Sequence, residues 1–241
     1  MGYLRRKMIE GLTRFVPTIL PPQRQYYNET NNDRWICEYV FPNKRDGYFL
    51  EVGAANGKQA SSCYVLEKEF GWKGICVEPS DYFFEQLVRN RPNSICEQVC
   101  LSNQVGTVTY IEGSDETVSP YLSGIKSNLE TVKYQGKEVV AKGKEVKKEA
   151  VTLEVLLKKY HAPQVIDYAA FDIEGSELDV LEVFPFESYV FLALSLECDS
   201  SIRLPISQLL ESNGYRRAKN PFNRDKPWEM YWLHQSVYKR L

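Results

Sequence analysis

Histidine, excess basic charge, paired cysteines and long apolar runs are all scarce in this chain, and each scarcity removes a class of function. Only two histidines, His161 and His234, occur in 241 residues, too few for a histidine-rich metal centre. Thirty Lys and Arg stand against 32 Asp and Glu, a net charge of -2. That balance lacks the positive excess of nucleic-acid binders, so no nucleic acid is expected as a partner. Six cysteines (Cys37, Cys63, Cys76, Cys96, Cys100 and Cys198) are scattered, several in apolar runs such as "GICVEP", with no C-x-x-C pair. They read as reduced core thiols, and a cytoplasmic location fits them best. No stretch reaches the roughly 20 apolar residues of a transmembrane segment. Arg14 and Pro17 interrupt the basic N-terminus where a signal peptide needs its apolar centre. Gly2 follows Met1, but Arg6 stands where a myristoylation signal requires Ser or Thr.

What is present is an α/β pattern. Leu4, Met8, Leu12 and Phe15 recur at helical spacing, which predicts an N-terminal helical extension over residues 1–35. Its apolar stripe would pack on the main domain or on a second copy in a homodimer; peripheral contact with a membrane surface is the alternative. From residue 36 to 241 the chain reads as one domain. Strands are expected at about 48–52, in "GICVE", in "SICEQVCLS", in "VIDYAAFDIEG", in "YVFLALSLECD" and in "PWEMYWLHQSVY". Helices are expected over roughly 58–69, in "DYFFEQLVRN", in "TLEVLLKKY" capped by Thr152, in "SELDVLEVF" and in "PISQLLESNG". Near-continuous apolar strands alternating with helices indicate a mostly parallel sheet covered on both faces. The alternation breaks at about 113–150, where six lysines face two glutamates between Lys133 and Lys148. An inserted exposed loop or hairpin is expected there, with a lid or substrate loop as the alternative.

In such a sheet, ligands bind outside the carboxyl ends of the strands. The first strand ends in Glu51 and then "GAANG", with glycines at 53 and 57; the second ends in Glu78, the third in Ser102, the fourth in Asp172 and Glu174, the fifth in Glu197 and Asp199. Glycines allow a tight turn and a close approach to a ligand. Their spacing departs from the G-x-G-x-x-G of dinucleotide binders, and Glu51 would repel phosphates. Glu78 follows Gly57 at about the 20-residue separation at which a second strand offers a carboxylate to ribose hydroxyls. A nucleoside that carries positive charge and no phosphate satisfies both features, and S-adenosylmethionine is such a molecule.

The stretches "GYFLEVGAANGKQASSCYVLEKEFGWKGICVEPS", "NRPNSICEQVCLS" and "TLEVLLKKYHAPQVIDYAAFDIEGSELDVL" resemble the FkbM-type family of S-adenosylmethionine-dependent methyltransferases over roughly residues 46–200. "GWKGICVEP" and "DIEGSE" are the most specific pieces. The resemblance implies a Rossmann-like class I methyltransferase fold, with a seven-stranded, mostly parallel sheet whose last strand is antiparallel. It also implies O-methylation of a saccharide or other small-molecule acceptor. Glu51, Gly53 and Gly57, with Ala54 and Asn56 between them, would line the methionine end of the cofactor. Glu78 and Pro79 would hold the ribose, Ser102 would lie near the adenine, and Asp172 would face the reacting centre.

A sugar hydroxyl is a poor nucleophile while protonated, so a base is useful. Asp172, Glu174, Glu177 and Glu197 are the candidates, because neither histidine falls at an active-edge strand end. For Glu177 the competing reading is a helix N-terminal residue favoured by the helix dipole. Asp172 with Glu197 could instead hold a hard cation such as Mg2+ that lowers the hydroxyl pKa. "YYNETNNDRW", "SPYLSGIK" and "RRAKNPFNRDKPW" are expected either to overhang the site or to be solvated loops; Arg216, Arg217, Lys219 and Arg224 would then meet an anionic acceptor. A catalytically silent relative that binds a partner through the same fold, and a nicotinamide-dependent oxidoreductase, are the competing functional classes.

Overall fold

The computed structural model describes residues 24–113, 119–130, 133–134, 137–138, 143–223 and 225–238. The expected helix around Leu4 to Phe15, and Arg224, lie outside them. Seven strands form the central sheet: β1 Tyr48–Val52, β2 Lys73–Val77, β3 Ile95–Glu97, β4 Val165–Phe171, β5 Val190–Glu197, β6 Tyr215–Arg217 and β7 Glu229–His234. Their spatial order is β6-β7-β5-β4-β1-β2-β3. Pairings from β3 through β5 are parallel, and β7 runs antiparallel to both β5 and β6. This is the α/β, class I methyltransferase arrangement, with one antiparallel strand inserted near the edge.

Helices cover both faces, as strands apolar on both sides require. Leu50, Val52, Phe171 and Leu196 pack with α3 Leu153–Lys159, α4 Glu177–Glu182 and α5 Arg203–Ser212. Phe49, Cys76, Tyr168 and Ala170 pack on the other face with α1 Tyr64–Phe70 and the helical segment Asn32–Val40, whose Trp35 and Ile36 are fully buried. α2 Asp81–Asn90 contributes Leu87 to this second face. α3 starts as its cap residue dictates, with Thr152 Oγ1 accepting from Val155 N at 3.3 Å. The first helix is shorter than the expected 58–69, because residues 53–63 form a loop at the sheet edge. All six cysteines are free, and among the described residues no helix is long and apolar enough to cross a membrane.

The expected third strand divides in two. Ile95–Glu97 stays in the central sheet, while Cys100–Leu101 joins a four-stranded sheet with Lys144–Val151, Gly106–Glu112 and Gly124–Ile125. Within it Gly106–Glu112 pairs antiparallel with Lys144–Val151 over seven residues. Within the region read as an exposed loop or hairpin from about 113, Gly124–Ile125 and Lys144–Val151 belong to this small sheet, which roofs the strand tips, while Lys133–Tyr134 pairs antiparallel with Lys137–Glu138 as a separate hairpin.

Candidate functional site

The strand order reverses between β1 and β4, and there the crevice of an open α/β sheet opens. Parallel register brings the tips together: Val52 pairs with both Val77 and Phe171, and Phe171 with Leu196. Gly53, Glu78, Asp172 and Glu197 therefore emerge side by side. A cavity of about 590 Å³ lies above them, within the range of small-molecule sites. Its floor includes Gly53, Ala54, Glu78 and Pro79; its roof includes Tyr110 and Ile125 from the small sheet and Tyr121 and Leu122 from the turn that precedes Gly124–Ile125. "YYNETNNDRW", "SPYLSGIK" and "RRAKNPFNRDKPW" overhang as one of their two readings has it, delivering Glu29, Tyr121 and Trp228 to the wall. Among the described lining residues, five are carboxylates (Glu29, Glu78, Asp172, Glu174, Glu197) and none is Lys, Arg or His.

Glu78 is held firmly. Its Oε2 accepts from Ala55 N at 2.7 Å and its Oε1 from Ser80 N at 2.8 Å. Burial nevertheless outweighs those two amides and pushes its carboxyl up to about 7. Asp172 is open to the cleft but walled by protein; that enclosure, with Glu29 nearby, raises its carboxyl to about 6. Glu197 is raised further, first by burial and then by Asp172 and Glu229. The register explains the last effect, since Glu197 of β5 stands directly opposite Glu229 of β7. Glu229 is itself buried, accepts from Asn32 Nδ2 at 2.8 Å and is pushed up to about 8, chiefly by burial. Glu174 has a left-handed backbone, φ 53°, and is also raised well above its usual range by burial and by Asp172. Glu177 does not face the cleft: its two oxygens accept from Ile173 N (2.8 Å) and Gly175 N (3.1 Å), so it fixes the turn that carries Asp172 and Glu174.

Several expectations are corrected. Glu51 is not a free negative charge awaiting a cationic ligand. Its Oε2 accepts from Arg91 Nη1 at 2.7 Å, and its Oε1 from Ser61 Oγ and Ser62 N, both at 2.7 Å. The charge is neutralised within the protein, and the negative potential of the cleft comes from the other carboxylates. Gly53 lines the cleft, but its need for glycine is internal: at φ +79° a Cβ would fall on the carbonyl oxygen of Asp172. Gly57 and Asn56 do not line it. A Cβ on Gly57 would strike Leu87 and Arg91, and Asn56 Oδ1 accepts from Lys58 N and Gln59 N to build the loop. Ser102 is buried off the cleft, donating its amide to Val151 O at 3.0 Å; Cys100 and Leu101 line the wall in its place. Arg216 and Arg217 lie over the rings of Tyr238 and Trp232, and Lys219 borders a separate groove. Asp172 and Glu197, the pair expected to hold Mg2+, both line the cleft, and among the described residues no group of three or more His, Cys, Asp or Glu side chains is placed to hold a metal ion. His234 bonds Ser236 beyond the far end of β7, and His161 is exposed.

The sequence matches the family described as the methyltransferase FkbM domain over residues 51–216. No curated protein matches it. Among solved structures the chain is similar to precorrin-6y C5,15-methyltransferase from Geobacter metallireducens (10% identity, 83% of each chain covered, TM-score 0.44). It is similar to Aeropyrum pernix fibrillarin in complex with S-adenosyl-L-methionine (15% identity, 88% of this chain and 85% of that one, TM-score 0.43). A TehB-like methyltransferase from Corynebacterium glutamicum is similar at 8% identity, with 96% of this chain and 93% of that one covered and a TM-score of 0.43. The family match runs from β1 into β6, across every strand tip that builds the cleft, and the chain belongs to the FkbM-type methyltransferases.

Proposed function

We propose that this chain transfers the methyl group of S-adenosylmethionine to a hydroxyl of a saccharide or other small molecule. The observation that carries the donor reading is the lining of the cleft: Glu29, Glu78 and Asp172 are its candidate negative charges, the carboxyls of Glu174 and Glu197 are raised by burial, and no described lining residue is Lys, Arg or His. Such a site attracts a sulfonium and repels a pyrophosphate, which disfavours a nicotinamide cofactor. When bound, the cofactor supplies an electrophilic methyl carbon.

The protein's own part is positioning, which can supply roughly 7–11 kcal/mol of a displacement barrier. Glu78, already fixed by two backbone amides, keeps lone pairs free for two vicinal ribose hydroxyls. Asp172, open to the cleft, takes the proton of the acceptor hydroxyl. Glu197 stays protonated at neutral pH because of its burial and its acidic neighbours, and it donates a hydrogen bond instead of adding a further negative charge. The roof and Trp228 exclude water and offer apolar surface for a sugar face.

Calorimetric titration tests the donor. S-adenosylmethionine should bind and NAD should not; the reverse result, or binding of neither, would sink the proposal. Glu78→Ala should weaken S-adenosylmethionine binding roughly ten- to a hundredfold, as expected for losing charge-assisted hydrogen bonds. A carboxyl raised to about 7 is protonated below that pH, so affinity should fall as pH drops through it. That pH dependence should be smaller in the Glu78→Ala protein. Methyl uptake by a panel of mono- and disaccharides tests the acceptor class.

A further inference from the structure

Tyr121 belongs to none of the strand-tip motifs, yet it spans the mouth of the cleft. It sits in the turn Ser119–Leu122, closed by Leu122 N donating to Ser119 O at 2.9 Å. Ser123 Oγ ties that turn to the end of a roof strand, donating to Pro120 O at 2.7 Å and accepting from Gly113 N at 2.9 Å. The Tyr121 ring lies 4.9 Å from the ring of Phe83 on α2, tilted by 46°. Its hydroxyl reaches across to Gln59 Oε1 at 3.4 Å, in the loop that follows β1. Gln59 is pre-set by Asn56, whose Nδ2 donates to the same Oε1 at 3.0 Å. Tyr121 thus touches the roof, the helix after β2 and the loop after β1. Half of its surface remains open, and it lines the cavity together with Phe83 and Pro79.

Both roof strands are tied to the helix after β2, which sets the register of the roof on the cleft. Glu112 Oε1 accepts from Ser80 Oγ (2.9 Å) and Asp81 N (2.5 Å), and Lys148 Nζ donates to Asp81 Oδ1 at 2.5 Å. Ser80 is the residue whose amide holds Glu78. One chain of contacts therefore fixes the ribose carboxylate and the aromatic pair relative to each other. A flat base attached to a ribose on Glu78 has an apolar, aromatic wall beside it, made of Pro79, Leu101 and the packed pair Phe83 and Tyr121.

We infer that Tyr121, contributed by the insertion, is a nucleobase-binding residue of the cofactor site: its ring, backed by Phe83, offers its open surface to the purine, and its hydroxyl on Gln59 closes the cleft beside it. This rests on the donor reading above. Aromatic stacking on a base is commonly worth enough to change affinity by about tenfold to a hundredfold. Tyr121→Ala should therefore weaken both S-adenosylmethionine and free adenosine by about that factor, with the binding of free methionine unchanged. Tyr121→Phe keeps the stack and loses the closure, so its affinity should stay within a few-fold while cofactor dissociation, followed by stopped-flow fluorescence, becomes faster. An exposed turn residue should leave the thermal midpoint unmoved, which separates binding from folding. Wild-type affinity for adenosine in Tyr121→Ala would overturn the assignment, and so would a defect confined to the acceptor. If the unaltered protein binds no S-adenosylmethionine, the donor reading itself falls and takes this assignment with it.

Discussion

Asp172→Asn is expected to lower turnover by about a hundredfold to ten-thousandfold while S-adenosylmethionine affinity changes only a few-fold. The range is that of a lost general base. The substitution is nearly isosteric, and Asp172 is open to the cleft, with its backbone amide still bonded to Val52 O at 3.0 Å, so folding should be unaffected. A pH signature accompanies the rate. Enclosure holds this carboxyl up to about 6, and a base acts only when ionised, so with S-adenosylmethionine kept saturating, kcat/KM for the acceptor should fall as pH drops through that value. In Asp172→Asn the acidic limb should disappear along with the activity. Measurement on whichever saccharide takes up methyl in the screen decides it. Full turnover in the variant, or an unchanged acidic limb on reduced turnover, would move the base to another residue. Glu174 and Glu197 would then come first, although burial and the neighbouring carboxylates raise both of their carboxyls, that of Glu197 to about 10.

The strand tips of this site are legible in the sequence for a physical reason. A parallel strand buried on both faces is a short apolar run, and a carboxylate at its end has nowhere to go but the edge of the sheet. "GICVEP" and "VIDYAAFDIEG" announce Glu78 and Asp172 in this way, and the structure sets them in one cleft. β6 was not legible, because three residues at a sheet edge carry too little periodicity, and "YRR" reads as part of a polar loop. The roof escaped for a related reason. Lys144–Val151 exposes charged residues along most of its length and buries only Ala150 and Val151, so its pairing with Gly106–Glu112 leaves little apolar alternation to read. The pairing of Glu51 is not legible locally, because its partner stands 40 positions away in sequence. Arg91 falls in "NRPN", which has the composition of a turn, and nothing local marks it as fully buried.

Removing that arginine should cost the fold more than any other single substitution considered. Arg91 is wholly buried, with Nη1 on Glu51 Oε2 at 2.7 Å and Nε on Glu67 Oε2 at 2.6 Å. Burial pushes the Glu67 carboxyl up, but Arg91 and Ser94 outweigh it and hold it below its usual range. Arg91→Met fills much of the volume and leaves two buried carboxylates without their shared arginine, Glu51 with hydrogen bonds from Ser61 and Ser62 and Glu67 with Lys68 as its remaining cation. Breaking a buried pair in this way costs about 3–5 kcal/mol, a fall of about 10 °C in thermal midpoint for a chain of this size. Arg91→Lys should rescue little, because an ammonium on a flexible stem cannot bridge two carboxylates as the planar fork does. Burial pushes the Glu67 carboxyl up and Arg91 is the chief group that holds it down, so without Arg91 protonation of Glu67 becomes easier and the deficit should shrink as the solution is acidified. Adding Glu51→Gln and Glu67→Gln to Arg91→Met should recover part of the loss at neutral pH. The consequence reaches the cleft, because Glu51 also anchors Ser61 and Ser62, and Ser61 lines the cavity. Cofactor affinity should therefore drop together with stability in Arg91→Met. Urea unfolding within about 1 kcal/mol of wild type would show that the buried triad is not what sets the loop at the tip of β1.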